Sequence, residues 1–129
     1  MQDGVFPLHC HDDSLEGTLL NAWAKSGHEA GTKLGRPWNN AVNHKRWMEE
    51  IGFGNVKEKI FEVPTNPWPK GRRAKELGMW FNADLSASLS ASKVLLIKIL
   101  EWPLEKVEPF LEEVRIDLSK KEIHAYMLM

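Results

Sequence analysis

The chain has 129 residues, 43% of them hydrophobic and 27% charged, which is enough for one modest core and leaves no low-complexity tract. A formal net charge of -1 with interspersed signs gives no basic footprint, so nucleic acid and membrane surfaces are not expected partners. One cysteine excludes an internal disulfide, and no segment reads as a signal peptide or a bilayer span, so the expected location is cytoplasmic.

Residues 1–6 form a short extended run that Pro7 ends. His9-Cys10-His11-Asp12-Asp13 follows as a polar loop, and Asp13 with Glu16 three residues on has the form of a capping box. Leu15, Leu19, Leu20, Trp23, Gly27, Ala30 and Leu34 then share one helical stripe, stopped by Gly35 with Pro37 beyond. Gly27 and Gly31 suit close packing on that helix, and since neither follows a strand they are not a nucleotide fingerprint. His9, Cys10, His11 and Asp12 are all zinc-ligand types, but adjacent positions of an extended loop point opposite ways. At most His9 and His11 would face one ion, and no second cluster completes a tetrahedron, so no metal is expected.

Val42, Trp47, Met48 and Ile51 fall near one helical face, and Gly52 sits where a left-handed residue ends the helix and lets Phe53 fold back. Residues 55–63 alternate Val56, Ile60, Phe61 and Val63 with Lys and Glu as a strand, until Pro64 removes the ladder donor. Thr65 to Gly71 is a proline-rich connector. Leu77, Trp80 and Phe81 keep helical spacing from Arg72 to about Asp84, after which the serines of residues 86–92 compete for backbone bonds and are expected to bend or interrupt the helix. Val94 to Leu100 is apolar almost all round and has to be covered on more than one side. Pro103 suits the first turn of a helix carrying Leu104, Val107, Leu111, Val114 and Leu118, with Pro109 kinking it or marking a late start. Residues 122–129 alternate as a last strand.

The wording of the central stretch says more. Trp47-Met48-Glu49-Glu50-Ile51-Gly52-Phe53, the Val-Lys-Glu strand, Pro64-x-x-Pro67-Trp68-Pro69-Lys70 and Lys75-Glu76-Leu77-Gly78 resemble the fungal class I methyltransferases of secondary metabolism, the LaeA-like or TAM-like group. Gln2-Asp3, Asp12-Asp13, Lys33-Leu34-Gly35-Arg36-Pro37 and His124-Ala125-Tyr126 agree in order. The resemblance covers nearly the whole chain but only the C-terminal half of the family pattern, without the upstream half that holds S-adenosylmethionine. It implies a single domain over residues 1–129, a truncated Rossmann-like fold of α/β class with α+β character. Four to five helices would join a small three-stranded mixed sheet, in which strands 1–6 and 55–63 run parallel and strand 122–129 slots antiparallel between them, in the order first, last, middle. Helices within residues 15–34 and 72–118 would form a lid over the acceptor substrate.

Three functions follow as expectations. The first is a truncated methyltransferase-like protein that binds no cofactor by itself and contributes a substrate lid to a split or partnered methyltransferase. The second is a cofactor-independent cyclase or isomerase, pericyclase-like, acting on a polyketide or terpenoid intermediate, and the third is a non-catalytic interaction partner. For chemistry without a cofactor the candidates are Asp3, placed at the C-terminal end of the first strand where open sheets put ligand contacts, and His9 or His11 as acid or base. Trp68, Trp80 and Phe81 would wall a pocket for a hydrophobic small molecule, and Lys70 would meet an acidic group on it. The plainer alternatives stand beside these: Asp3 bonding a neighbouring amide, exposed histidines, aromatics in the core and a solvated Lys70. Cys10 has no identifiable base and orienting carboxylate, and His124 suits a packed, hydrogen-bonded role equally well. A bare edge on strand 1–6 and the apolar residues 94–100 make an oligomer expected, either a homodimer or a heteromer with a methyltransferase.

Overall fold

A computed structural model describes residues 2–129; Met1, the first residue of the expected opening strand, lies outside them. In chain order the elements are β1 (Val5–Cys10), α1 (Leu19–Lys33), α2 (His44–Ile51) behind a 3-10 turn at Asn40–Asn43, β2 (Glu62–Pro64), α3 (Arg72–Lys98), α4 (Leu104–Ser119) and β3 (Ala125–Leu128). The three-stranded sheet has the order β1-β3-β2, first, last, middle, as the resemblance implied. β1 and β2 point the same way but never touch, so both ladders to β3 are antiparallel and the sheet is not mixed. Four helices on a small sheet place the chain in the α/β class, consistent with a methyltransferase-like fold. α1 packs on β1, α3 packs on β2, and α4 lies against both helices. Leu20, Leu89, Leu96, Val107, Val114 and Leu118 are fully buried between them.

Several boundaries move, each for a local reason. Pro7 does not end the first strand: β1 is an edge strand, and its ladder shifts register between Val5 and His9, where a residue without an amide is accommodated. β2 is only three residues long, because beyond the Phe61–Met129 backbone pair residues 55–60 meet no neighbouring strand among the described residues. Asp13 does not open α1. The chain turns at Gly17, with φ of 69°, and Thr18 is the cap, its Oγ1 accepting from the Asn21 amide at 3.1 Å. Gly52 does end α2 in the left-handed region, at φ of 114°, with the Phe53 amide returning to the Met48 carbonyl at 3.0 Å.

The serine-rich stretch does not interrupt α3, which runs unbroken for 27 residues. Leu85, Leu89 and Ser92 form its buried stripe, and the serine hydroxyls bond inside the helix, Ser88 to the Asp84 carbonyl at 3.0 Å and Ser92 to the Leu89 carbonyl at 2.7 Å. Core burial at this spacing outweighs the weak local preference of serine. Residues 94–100 are accordingly no separate buried helix: Val94 is 56% exposed while Leu96 is 1% exposed. The outer edge of β1 is bonded at one point, where the Phe6 amide donates to the Trp38 carbonyl at 3.0 Å.

Three polar side chains, two of them buried, fasten the elements to one another. Asn66, fully buried, donates from Nδ2 to the Lys120 and Ile123 carbonyls at 2.9 and 3.3 Å, pinning the turn between α4 and β3. Asn82 on α3 ties the same region together by donating to the Thr65 and Leu118 carbonyls. Asp117, 7% exposed on α4, accepts from the Leu19 and Leu20 amides at 2.8 and 3.3 Å and from Lys120 at 2.8 Å. One carboxylate therefore closes the N-terminus of a helix almost a hundred residues away in sequence.

Candidate functional site

A cavity of about 560 Å³ opens between β1, α1 and α3. Its walls are Phe6 from β1, Trp23 from α1, Trp38 from the connector after α1, Phe81 and Leu85 from α3, and Met127 from β3. The glycines of α1 set the position of one wall, Trp38. A Cβ on Gly27 would sit 2.3 Å from the Trp38 ring, and one on Gly31 would sit 2.6 Å from the Arg36 carbonyl and 2.9 Å from the Trp38 ring. Those bare positions seat the Trp38 indole flat against the helix, where it meets Phe6 edge-on at a centroid distance of 5.1 Å. Phe6 in turn meets Trp23 edge-on at 6.0 Å. The polar atoms of the wall are largely spent within the protein, since Trp23 Nε1 donates to Ser92 Oγ at 2.9 Å and the Ser88 and Ser92 hydroxyls donate to backbone carbonyls. The mouth carries Asp3, Asp84 and Asn40. Such a cavity can bind an apolar, ring-bearing small molecule and leave a polar end at the rim.

Only part of the expected set gathers here. Phe81 is a wall, and Asp3 is at the rim, but Asp3 precedes β1 and lies at its N-terminal end; the strand begins later than expected, so the placement at the C-terminal end is corrected. Its Oδ1 accepts from the Gly4 amide at 2.8 Å and its Oδ2 lies 3.7 Å from His44 Nε2. His9 and His11 lie at the other end of β1, so they share no site with Asp3. His9 stacks on Tyr126 at 5.9 Å with its Nε2 buried and without a hydrogen-bond partner, and His11 stacks on the same ring at 4.7 Å while its Nε2 meets Glu62 at 2.9 Å. Burial, and next to it the Glu62 carboxylate, push the Tyr126 phenol up.

Trp68 is occupied structurally: its Nε1 donates to the Ala125 carbonyl at 2.9 Å and its ring lies 5.1 Å from His124. Trp80 faces outward at 72% exposure beside a second, shallower hollow with Leu77 and Phe61, and Lys70 is exposed. His124 is the packed, hydrogen-bonded histidine of the plainer alternative, its Nδ1 2.6 Å from Asp12 Oδ2 and its amide donating to Ser14 Oγ. Bonds from Ser14, and then from His124, hold the Asp12 carboxyl well below the usual carboxylate range. Cys10 donates to the Asp12 carbonyl at 2.6 Å. Among the described residues no three His, Cys, Asp or Glu side chains converge to hold a metal. Sequence alone marks none of Phe6, Trp23, Trp38 and Asp84 as a site residue, and the four-residue spacing of Gly27 and Gly31 is the one signal that a ring packs there.

S-adenosylmethionine, the cofactor implied by the resemblance, is held by backbone donors at a strand-to-helix turn and by an acid on its ribose. Two such turns lie among the described residues, and the turn before α1 has its first helical amides occupied while the first amides of α3 carry no side-chain cap. The first amides of α1 are taken by Thr18 and Asp117, and the turn from β2 to α3 is filled by Thr65, Asn66 and Trp68 bonded to the β3 side of the sheet.

No protein-family model matches the chain, and no solved structure does. Its sequence is 34% identical to the probable methyltransferase tdiE of Emericella nidulans over 98% of this chain and 40% of that protein. It is 28% identical to the protein-methionine methyltransferase laeA of the same fungus, and 29% identical to the secondary metabolism regulator laeA of Aspergillus flavus, each over 96% of this chain and 34% of the relative. The chain thus spans between a third and two-fifths of the length of these relatives, and the chain is, over nearly its whole length, similar to a C-terminal portion of the LaeA-like methyltransferases of fungal secondary metabolism.

Proposed function

We propose that this chain supplies the substrate-binding side of a methyltransferase of fungal secondary metabolism, with the aromatic cavity receiving a hydrophobic small-molecule acceptor. S-adenosylmethionine is then held by residues other than these, in the remainder of such a protein or in a partner. The observation that carries the reading is the cavity itself, which lies between the two helical segments that the family pattern assigns to the substrate lid. The cofactor-free cyclase has no matching observation, because Asp3 and the histidines at the far end of β1 do not form one acid–base set. A second copy or a methyltransferase chain would cover the outward apolar face of Leu77, Trp80 and Phe61, which are 44%, 72% and 60% exposed.

Ser88 provides the test. It is exposed on the α3 wall, and its hydroxyl bonds only within its own helix, so Ser88→Phe fills the cavity from the rim and changes stability by no more than about 0.5 kcal/mol. A neutral naphthalene fluorophore should bind the unaltered chain at micromolar concentration and lose at least about tenfold in affinity with Ser88→Phe. Calorimetry with S-adenosylmethionine should show no heat of binding. Fluorophore binding that ignores the plug removes the cavity from consideration, and low-micromolar cofactor binding returns the cofactor to this chain.

A further inference from the structure

We propose that the cavity prefers cationic ligands, an aromatic ring system bearing an amine or quaternary ammonium group. The inference rests on the reading of the cavity as a ligand site and names the chemistry it selects.

The lining holds two carboxylates, Asp3 and Asp84, and no lysine, arginine or histidine. Asp84 has no ion-pair partner among the described residues. Asp3 has one hydrogen bond to the Gly4 amide and the 3.7 Å approach of His44, which leaves acceptor capacity on both oxygens. Most potential donors point elsewhere: Trp23 Nε1 and the Ser88 and Ser92 hydroxyls are committed inside the protein, leaving the Asn40 amide and the Trp38 indole N–H as neutral donors. An anionic ligand would meet two like charges and neutral donors, with only the His44 imidazole beside Asp3 to offset them. A cation would meet opposite charge at the rim and the rings of Phe6, Trp23 and Trp38 within, whose faces attract it as well.

The experiment uses three naphthalene fluorophores with the same ring, carrying a trimethylammonium, a neutral or a sulfonate group, titrated against the 129-residue chain at pH 8 in low salt. The cationic probe should bind about tenfold tighter than the neutral one, and the sulfonate weakest. In the Asp3→Asn, Asp84→Asn double variant the cationic probe should fall to the level of the neutral one, while a melting curve shows the fold intact; both side chains are exposed, so the substitutions open no core. Equal binding of the three probes, or a cation preference that survives the double variant, overturns the charge preference and leaves the cavity as a ligand site. Failure of all three to bind overturns the ligand site and the preference together.

Discussion

Asp117→Ala should cost the chain about 3 kcal/mol of stability, measured by urea unfolding at pH 7. The substitution removes three bonds at once. The Leu19 and Leu20 amides at the start of α1 lose their acceptor in a buried place, and Lys120 loses its partner. Lys120 is half exposed and can turn to water, so most of the loss comes from the amides and the small cavity. The same residue sets part of the acid limb of the stability curve. Burial raises the Asp117 carboxyl, but the Lys120 ammonium and the two amides outweigh it and hold the group below the usual carboxylate range. The unfolded chain therefore takes up this proton first, so the stabilisation is present above the ordinary aspartate value and is lost as pH falls through the lower folded value. Asp117→Asn should flatten that limb. An acid limb as steep as that of the unaltered chain would show that Asp117 is not a source of it.

Gly78→Ala is expected to destabilise by about 2 kcal/mol, although alanine is the better helix former by about 1 kcal/mol. A Cβ at this position would sit 2.2 Å from the Asn66 carbonyl oxygen and 2.6 Å from its carbon. Those are backbone atoms of the segment that Asn66 and Thr65 bond to the turn before β3 and to β3 itself, so they cannot swing aside. Gly27→Ala makes the informative contrast. Its clash is with the end of the Trp38 side chain, at 2.3 Å, which can rotate away, so the loss should be smaller in stability and larger in fluorophore binding. Equal melting temperatures for Gly78→Ala and the unaltered chain would mean that α3 can lift from the connector at little cost.

Local rules carried the fold where one residue decides the outcome. Gly52 and Gly35 stop their helices in the left-handed region, and the stripe of Leu20, Trp23, Gly27 and Ala30 is the buried side of α1. They failed where a distant group intervenes. Nothing near Asp13 reveals that α1 starts later and is capped in part by Asp117, and the serines of α3 look disruptive until Leu85 and Leu89 are seen in the core between them. The site suffered most from this distance. Asp3, His9 and His11 are close in sequence, yet an extended strand carries them to opposite ends, while Phe6, Trp38 and Phe81 come together from separate elements.

Trp38 joins two jobs that are usually separate. Its ring is a wall of the cavity, and its carbonyl accepts the Phe6 amide that would otherwise be a free edge donor of β1. A backbone motion that lifts the whole residue off Gly27 and Gly31 would widen the cavity and release that amide to solvent together. The Phe6 amide thus serves as a local gauge: its hydrogen-exchange rate counts the openings of the cavity, and a ligand that holds the indole in place should slow that exchange in proportion to its occupancy.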